Sequence, residues 1–166
     1  MIPRTGFGYD VHMLAEGYDF WLGGIKIEHH KGCVAHSDGD TLIHALCDAL
    51  LGAAALGDIG FHFPDNIDKY RGIDSKVLLA EVVAMLAAEN YSIVNTDITV
   101  CLQQPKIMQY IPEMRRVLSD IMNIPVNSIS IKATTTEKLG FTGREEGIAV
   151  HAVALIVNSE QLTANS

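Results

Sequence analysis

Three side chains of metal-ligating type occur at two points in the first third of the sequence. Asp10 and His12 are two residues apart in a segment predicted to be a strand, so both side chains point to one face of it. His44 follows in an alanine-rich segment predicted to be a helix. One carboxylate oxygen and two imidazole nitrogens can hold a catalytic zinc ion, whose fourth position is left for water or substrate. The alternative is an aspartate that caps a turn beside a hydrogen-bonded core histidine.

The helix that carries His44 is predicted to begin within residues 36–44, HSDGDTLIH, and to run to about residue 56. Ser37 and Asp38 are expected to cap its N-terminus, because a short side-chain oxygen can accept a hydrogen bond from a free backbone N–H of the first turn. A glycine follows at the expected C-terminal cap. The pattern leaves open whether this helix meets the strand of Asp10.

A polar line runs along the same helix beside its apolar face. Asp40, His44 and Asp48 stand four residues apart and therefore lie above one another. Such a line is costly in a buried helix unless its groups are paired or bind something. Asp40 and Asp48 are therefore predicted to support His44 as carboxylates behind a metal site.

The polar loop of residues 134–144, TTTEKLGFTGR, suits a ligand that carries phosphate. Its hydroxyls and backbone N–H groups can contact phosphate oxygens, Glu137 can bind a divalent cation, and Arg144 can pair with an anion. The order of residues found in a P-loop is absent. An ordinary polar surface turn explains the composition equally well.

Residues 103–106, QQPK, stand where a strand predicted over residues 91–102 gives way to a helix. That helix is expected to begin at Pro105 and to end near residue 122. Ligands often bind beyond strand ends and at helix N-termini, where free N–H groups favour anions. The segment is therefore a further candidate for ligand binding.

The remaining elements complete a pattern of alternating strands and helices. Strands are predicted over residues 4–12, 18–27 (two short strands bent at a Gly-Gly pair), 128–133 and 147–157, and a further helix over 75–90. This order predicts an α/β sandwich of the α+β type, a mixed β-sheet with helices on one face. One domain is expected over residues 1–158, followed by a disordered tail at 159–166. Gly6 and Gly8 predict close approach of another backbone or a ligand to the first strand.

Composition excludes several classes of function. The 166 residues carry a net charge of −8, which argues against nucleic acid or an anionic membrane as a partner. No apolar tract is long enough to span a bilayer. Three widely spaced cysteines favour a reducing compartment, and the chain starts without a secretory signal. A cytoplasmic protein is expected, or a plastid one if a transit peptide has been removed.

The motifs taken together resemble one family over residues 4–157. In order they are GYDVH at 8–12, HSDGD at 36–40 with its spaced histidine, GDIG at 57–60, FPD at 63–65, QPK at 104–106 and KATTTEKLGFTGR at 132–144. This set closely resembles the 2-C-methyl-D-erythritol 2,4-cyclodiphosphate synthase family of the non-mevalonate isoprenoid pathway. The last block and HSDGD are the most specific parts of the likeness.

The resemblance implies an activity and an assembly. The enzymes of this family are phosphorus-oxygen lyases that cyclise 4-diphosphocytidyl-2-C-methyl-D-erythritol 2-phosphate and release CMP. The resemblance also implies a homotrimer around a central cavity, with active sites between subunits. Each site would hold one zinc ion and a second divalent ion, Mg²⁺ or Mn²⁺. The central cavity can hold an isoprenoid diphosphate in this family.

Site residues follow from the resemblance position by position. The zinc ligands would be Asp10, His12 and His44, and Glu137 would bind the second ion. His36 and Thr135 match positions that stabilise the transition state, and Phe141 and Arg144 match positions that face the cavity. The remaining substrate-binding positions are Ser37, Asp58, Ile59, Gly60, Phe63, Pro64, Asp65, Leu102, Gln103, Gln104, Pro105, Lys106, Ile107, Met108, Thr134 and Thr136, joined by Asp10, His12, His36, Thr135 and Glu137.

Two departures and two rival functions accompany the resemblance. Tyr9 stands where phenylalanine is frequent, and Glu145 adds a negative charge beside Arg144, where a small residue is common. The rivals are a zinc phosphoesterase, in which water attacks the phosphate, and a metal-dependent module that binds a nucleotide or an isoprenoid diphosphate without converting it. Neither rival accounts for the whole set of motifs.

Overall fold

The computed structural model describes residues 2–64 and 72–159. Its strands are β1 (Arg4–Glu16), β2 (Phe20–Leu22), β3 (Ile25–Ile27), β4 (Lys31–Cys33), β5 (Tyr91–Cys101), β6 (Ile129–Thr134) and β7 (Gly147–Asn158). Its helices are α1 (Thr41–Ala54), α2 (Ile59–His62), α3 (Ser75–Ala88), α4 (Ile111–Met122) and α5 (Gly140–Gly143). Asp65 and residues 160–166 lie outside the described residues, so the predictions for them stay predictions.

Five strands form one mixed sheet in the order β4-β1-β7-β5-β6. β5 and β6 run parallel, whereas the other neighbouring pairs are antiparallel. β2 and β3 form a separate hairpin that turns at Gly23 and Gly24. The prediction of a mixed sheet with helices is confirmed. β4 was not predicted, because its three residues lie in a segment with the composition of a polar turn.

The two faces of the sheet are different. On β1 the even-numbered side chains lie towards α1, whereas Phe7, Tyr9, Val11 and Met13 on the other face are 45–62% exposed. β7 alternates in the same way, with Val150 and Ala152 buried and Val153 exposed between its buried neighbours. We call the uncovered side the bare face. The longer helices α1, α3 and α4 lie on the opposite face, whereas the ring of Phe141 in α5 lies beside Gly147 at the start of β7.

Helix α1 lies directly against the backbone of β1. A Cβ atom on Gly8 would stand 1.9 Å from the carbonyl oxygen of Ala45, and one on Gly6 would stand 1.9 Å from that of Ala49. No side chain fits into this space, so the two glycines permit the approach. The prediction of a close backbone neighbour at these glycines is confirmed.

The N-terminus of α1 is capped by Asp40, so the prediction of Ser37 and Asp38 as its caps was wrong. Asp40 is fully buried and its carboxylate accepts the backbone N–H of Ile43 at 3.0 Å, Gly23 at 2.9 Å and Gly24 at 2.6 Å. Burial raises the pKa of Asp40 in spite of these donors. The same carboxylate therefore caps the helix and holds the turn of the β2–β3 hairpin against it.

Two helix boundaries differ from the prediction. α1 ends at Ala54, and the residue that follows, Ala55, adopts the left-handed conformation in place of a glycine (φ 60°). α4 begins at Ile111, six residues after Pro105, with Pro112 in its first turn. Pro105 instead belongs to an irregular segment that leads into a single 3₁₀ turn. No helix in the described part of the chain is long and apolar enough to cross a membrane.

Replacing Gly8 by alanine tests the contact between β1 and α1. The added methyl group must push α1 away from the strand, and we expect a loss of about 2–3 kcal/mol in the free energy of unfolding. Gly52→Ala is the matched control in α1, because a Cβ there meets no atom within 4 Å and alanine favours the helix by about 0.5–1 kcal/mol. Urea unfolding at one fixed protein concentration measures both. Equal stability of Gly8→Ala and the parent would refute the contact.

Candidate functional site

The close packing of α1 on β1 brings three metal-ligating side chains together. Oδ2 of Asp10 lies 3.1 Å from Nδ1 of His12 and 3.1 Å from Nδ1 of His44. One ligand atom from each residue lies within 4.8 Å of the others. The strand supplies the first two residues on one face, and the helix supplies the third. The structure therefore places the predicted triad in one group.

The donor set fits a small divalent ion. Zinc–ligand bonds of 2.0–2.1 Å in a tetrahedron separate neighbouring ligand atoms by about 3.3 Å, close to the two separations observed. Nδ1 of His12 is buried and, among the described residues, has no hydrogen-bond partner, although the Asp10 oxygen is near it. A buried nitrogen without a hydrogen bond, facing a carboxylate, is what a metal ligand requires.

Electrostatics in the triad follow from burial and from the facing charges. Burial alone would raise the pKa of Asp10, but the two imidazoles outweigh it and hold that pKa below its ordinary value. Burial alone would lower the pKa of His44, but the Asp10 carboxylate outweighs it and raises that pKa. The pair therefore favours a charged carboxylate opposite a positive group.

The support behind His44 is not the predicted one. Asp40 caps α1, and Asp48 accepts the backbone N–H of Ile59 at 2.9 Å. Instead, Nε2 of His44 lies 2.9 Å from Oγ of Ser75, the first residue of α3. The prediction for Asp40 and Asp48 was wrong, because helical spacing gives the face of a side chain and not its neighbour on another element.

A cavity of about 420 Å³ lies beside the triad. Several predicted substrate-binding residues line it, beside the predicted zinc ligand His44: His12, His36, Ser37, Ile59, Gly60, Phe63 and Pro64. Asp58, just outside this lining, caps α2 by accepting the N–H of Phe61 at 2.8 Å. Asp48 holds α2 at its first residue, so the wall opposite the triad is fixed to the same helix that carries His44.

A second, smaller cavity of about 60 Å³ lies at the ends of β5 and β6. It brings together two segments predicted to bind one ligand, and its lining is Leu102, Pro105, Lys106, Ile107, Ala133, Thr134 and Thr135. The predicted residues Gln103, Gln104, Met108, Thr136 and Glu137 are not part of this lining. Glu137 adopts a left-handed backbone (φ 53°) and accepts the hydroxyl of Thr135 at 2.9 Å.

Phe141 and Arg144 lie at and just after α5, before the last strand. The guanidinium of Arg144 donates two hydrogen bonds of 2.9 Å to the carboxylate of Glu146. The sequence pointed to Glu145 as the acidic neighbour of Arg144. The ion pair forms with Glu146 instead, because the residue between them turns through a left-handed conformation (φ 58°).

The triad and the second cavity are well separated within one subunit. Val11, Ala149, Cys101 and Thr134 stand in register across β1, β7, β5 and β6. Three strand spacings separate the first from the last, about 14 Å. His12 follows Val11 and points to the opposite face. One small ligand cannot contact both groups of residues in a single subunit.

Comparisons with known proteins agree on one likeness. The YgbB family matches residues 3–157. A protein of Porphyromonas gingivalis named 2-C-methyl-D-erythritol 2,4-cyclodiphosphate synthase is 58% identical over 154 residues, 93% of this chain and 95% of that one. A solved CDP-bound structure of a synthase of that name has a TM-score of 0.86 and 36% identity, covering 93% of this chain and all of the other. The bifunctional IspDF of Campylobacter jejuni has a TM-score of 0.90 and 40% identity over 93% of this chain, which spans only 42% of that protein.

Removing one imidazole tests the triad as a metal site. We expect His44→Ala to lose bound zinc after equilibrium dialysis, because two ligands do not retain the ion as three do. His30→Ala is the control, since that exposed histidine lies in a turn away from the triad. Metal content is measured by atomic emission on the dialysed proteins. Equal zinc in parent and His44→Ala would refute the assignment of this ligand.

Proposed function

The chain belongs to the YgbB family, and we propose that it converts 4-diphosphocytidyl-2-C-methyl-D-erythritol 2-phosphate to 2-C-methyl-D-erythritol 2,4-cyclodiphosphate and CMP. The observation that carries the proposal is the triad of Asp10, His12 and His44 beside a cavity, in a chain 58% identical to a protein named for this reaction. The activity is that of a phosphorus-oxygen lyase.

The reaction is an intramolecular phosphoryl transfer. An oxygen of the 2-phosphate attacks the β-phosphorus, a new P–O–P link closes the ring, and the bond from the β-phosphorus to the oxygen of CMP breaks. Neither water nor a nucleophile of the protein takes part. The protein has to orient the two phosphates and offset their charge, and orientation of tethered reactants is worth up to about 7–11 kcal/mol.

The chain's own residues divide this work. The zinc ion would be held by Asp10, His12 and His44, and zinc polarises phosphate oxygens when bound. Mg²⁺ or Mn²⁺ would be held by Glu137 and would offset the negative charge of the phosphates. His36 lines the cavity next to the triad, where it can contact the reacting phosphates. Thr135 lines the second cavity and hydrogen-bonds Glu137, which links its proposed role to that of the second ion.

The two cavities receive different parts of the substrate in this proposal. Asp58 and the neighbouring wall of the larger cavity would bind the erythritol hydroxyls. The smaller cavity between residues 102–107 and 133–135 would bind cytidine, and the CDP-bound synthase structure of the same fold supports a cytidine nucleotide as ligand. Its lining combines apolar side chains with Lys106 and the hydroxyls of Thr134 and Thr135, groups that can pack on a base and hydrogen-bond its edge or a phosphate.

We further propose a homotrimer whose active sites lie between subunits. Two observations support it. The bare face exposes Phe7, Tyr9, Val11 and Met13 in one row, and contiguous apolar surface of this kind marks an interface. About 14 Å separates the strands that carry the two groups of residues in one subunit, which supports a site completed by a neighbouring copy.

The remaining proposals concern the centre of the trimer and the compartment. An isoprenoid diphosphate in the central cavity would have to displace Glu146 from Arg144, so we expect only weak binding there. The three cysteines are free, which supports a reducing compartment such as the cytoplasm.

Phosphorus NMR of the purified protein with the cytidyl substrate and Mg²⁺ tests the reaction. We expect a cyclic diphosphate and CMP, both abolished by a zinc chelator and restored by zinc. Linear phosphate products would indicate the phosphoesterase instead. Binding without turnover in fully metallated protein would leave only a binding module.

Glu137→Gln separates the two metals. The amide removes the negative charge that would bind the second ion while leaving the triad untouched, so we expect turnover to fall at least about a hundredfold. Zinc content should stay at the parent level in the same sample. Turnover at the parent rate with Mg²⁺ would contradict the role of Glu137.

Val11→Arg tests the bare face as the subunit interface. A charge buried without a partner destabilises an interface by several kcal/mol, so we expect sedimentation to show smaller species than the parent trimer. Val77→Arg on α3 is the matched control, since Val77 is 46% exposed and Val11 45%. A trimer that tolerates Val11→Arg would place the interface elsewhere.

A further inference from the structure

The two ring nitrogens of His44 face different partners. Nδ1 faces the Asp10 carboxylate across the triad, and Nε2 lies 2.9 Å from Oγ of Ser75. Ser75 is fully buried and His44 is 6% exposed. A neutral imidazole has one N–H and one bare nitrogen, and the bare nitrogen is the one able to bind a metal.

The single proton of the Ser75 hydroxyl bears on which nitrogen of His44 is bare. That proton is donated to Oδ1 of Asp38, so only lone pairs of Oγ remain for His44. A hydrogen bond between Nε2 and Ser75 therefore requires the ring proton on Nε2, the form in which Nδ1 is bare and faces Asp10. In the other tautomer Nδ1 donates to Oδ2 of Asp10 at 3.1 Å, and the hydrogen bond to Ser75 is lost.

Asp38 is itself held in place to receive that proton. Its Oδ2 accepts the backbone N–H of Ser75 at 2.9 Å, its Oδ1 accepts that of Asp40 at 3.2 Å, and its own N–H donates to the carbonyl of Ile73 at 3.1 Å. Each group of the described residues that hydrogen-bonds this carboxylate is a donor. These bonds orient the carboxylate so that it accepts the hydroxyl proton of Ser75.

We propose that Ser75 and Asp38 are positioning residues that fix the tautomer of His44 with the proton on Nε2. The chain Asp38–Ser75–His44 joins the start of α3 to the triad and presents a bare Nδ1 to the metal position. The inference rests on the zinc site proposed above. It assigns a role to two residues outside the predicted ligand set, one of which the sequence had indicated only as a helix cap.

Ser37 is the other neighbour of this nitrogen, and it is the weaker one. Its Oγ lies 3.3 Å from Nε2 of His44 and accepts the N–H of Gly39 at 3.2 Å. Its distance is longer, and its hydroxyl can either accept the Nε2 proton or donate its own proton to a bare Nε2. Ser37 therefore fits either tautomer and does not select one.

Zinc affinity is the first measurement. We expect Ser75→Ala to weaken zinc binding about 10- to 100-fold in competition with a chromophoric chelator, the range found when a partner of a metal-bound histidine is removed. Ser119→Ala is the matched control, because Ser119 is also buried and its hydroxyl donates to the carbonyl of Ile124 at 2.6 Å, away from the triad. It should lose comparable stability and keep the parent affinity.

The tautomer itself is the second measurement, made on metal-free protein at alkaline pH by NMR that correlates ring nitrogens with ring protons. The parent should show a larger share of the Nε2–H form than Ser75→Ala, because without the serine acceptor the ring proton moves to Nδ1, where it is donated to the Asp10 carboxylate. Because this arm needs no metal, it also decides the inference if the parent proves unable to bind zinc, a result that would refute only the proposed zinc site.

If Ser75→Ala does not fold, Asp38→Asn tests the same series of hydrogen bonds from Asp38 through Ser75 to His44. The amide has the size of the carboxylate, but one of its two ends donates, so Ser75 loses either its backbone acceptor or the acceptor of its hydroxyl. We expect a smaller share of the Nε2–H form of His44 than in the parent and a zinc affinity lowered to a similar extent. In the double variant, Asp38→Asn should add nothing to the loss caused by Ser75→Ala, because it acts through that serine. An unchanged tautomer in either single variant, or additive losses of affinity in the double, would overturn the inference.

Discussion

The contact between two glycines and a helix backbone is the constraint on which the site depends. Gly6 and Gly8 let α1 settle onto β1 with nothing between the two main chains. His44 projects from that helix and Asp10 from that strand, so their separation is set by how closely the helix and strand pack. A side chain at either glycine would push α1 away from β1 and would increase the distance between His44 and Asp10. The geometry of the triad thus depends on backbone packing as well as on the identity of its three side chains.

The same helix is held at two points by carboxylates that bond to neighbouring elements. Buried Asp40 joins its N-terminus to the β2–β3 hairpin, and half-buried Asp48 joins its middle to α2 at the wall of the larger cavity. Because a buried polar group is costly unless it is bonded, the Asp40 carboxylate favours this one arrangement of the helix and the hairpin. Helix α1 is therefore both the centre of the core and the frame of the site.

Residue types and spacing in the sequence were enough to single out Asp10, His12 and His44 as candidate ligands and to predict the mixed sheet and the close approach at Gly6 and Gly8. Contacts between distant elements were beyond such patterns. Asp40 and Asp48 share a helical face with His44, but only the fold shows that their neighbours are Gly23, Gly24 and Ile59. The contact between Ser75 and His44 could not be predicted, because a serine at the start of a helix is already explained by helix capping. Pro105 was taken as a helix start because proline is favoured in first turns, and the chain uses Pro112 there instead.

Separation of the two cavities across the sheet has a consequence for mixed assemblies. In the proposed trimer each site joins the triad of one copy to residues 133–135 of another. A copy with a defective triad and a copy with defective residues 133–135 would then form one intact site at an interface between them. Random mixing of equal amounts would give intact halves at about one quarter of the interfaces. Two individually inactive alleles in one cell would thus restore part of the activity, whereas two alleles defective in the same half would not.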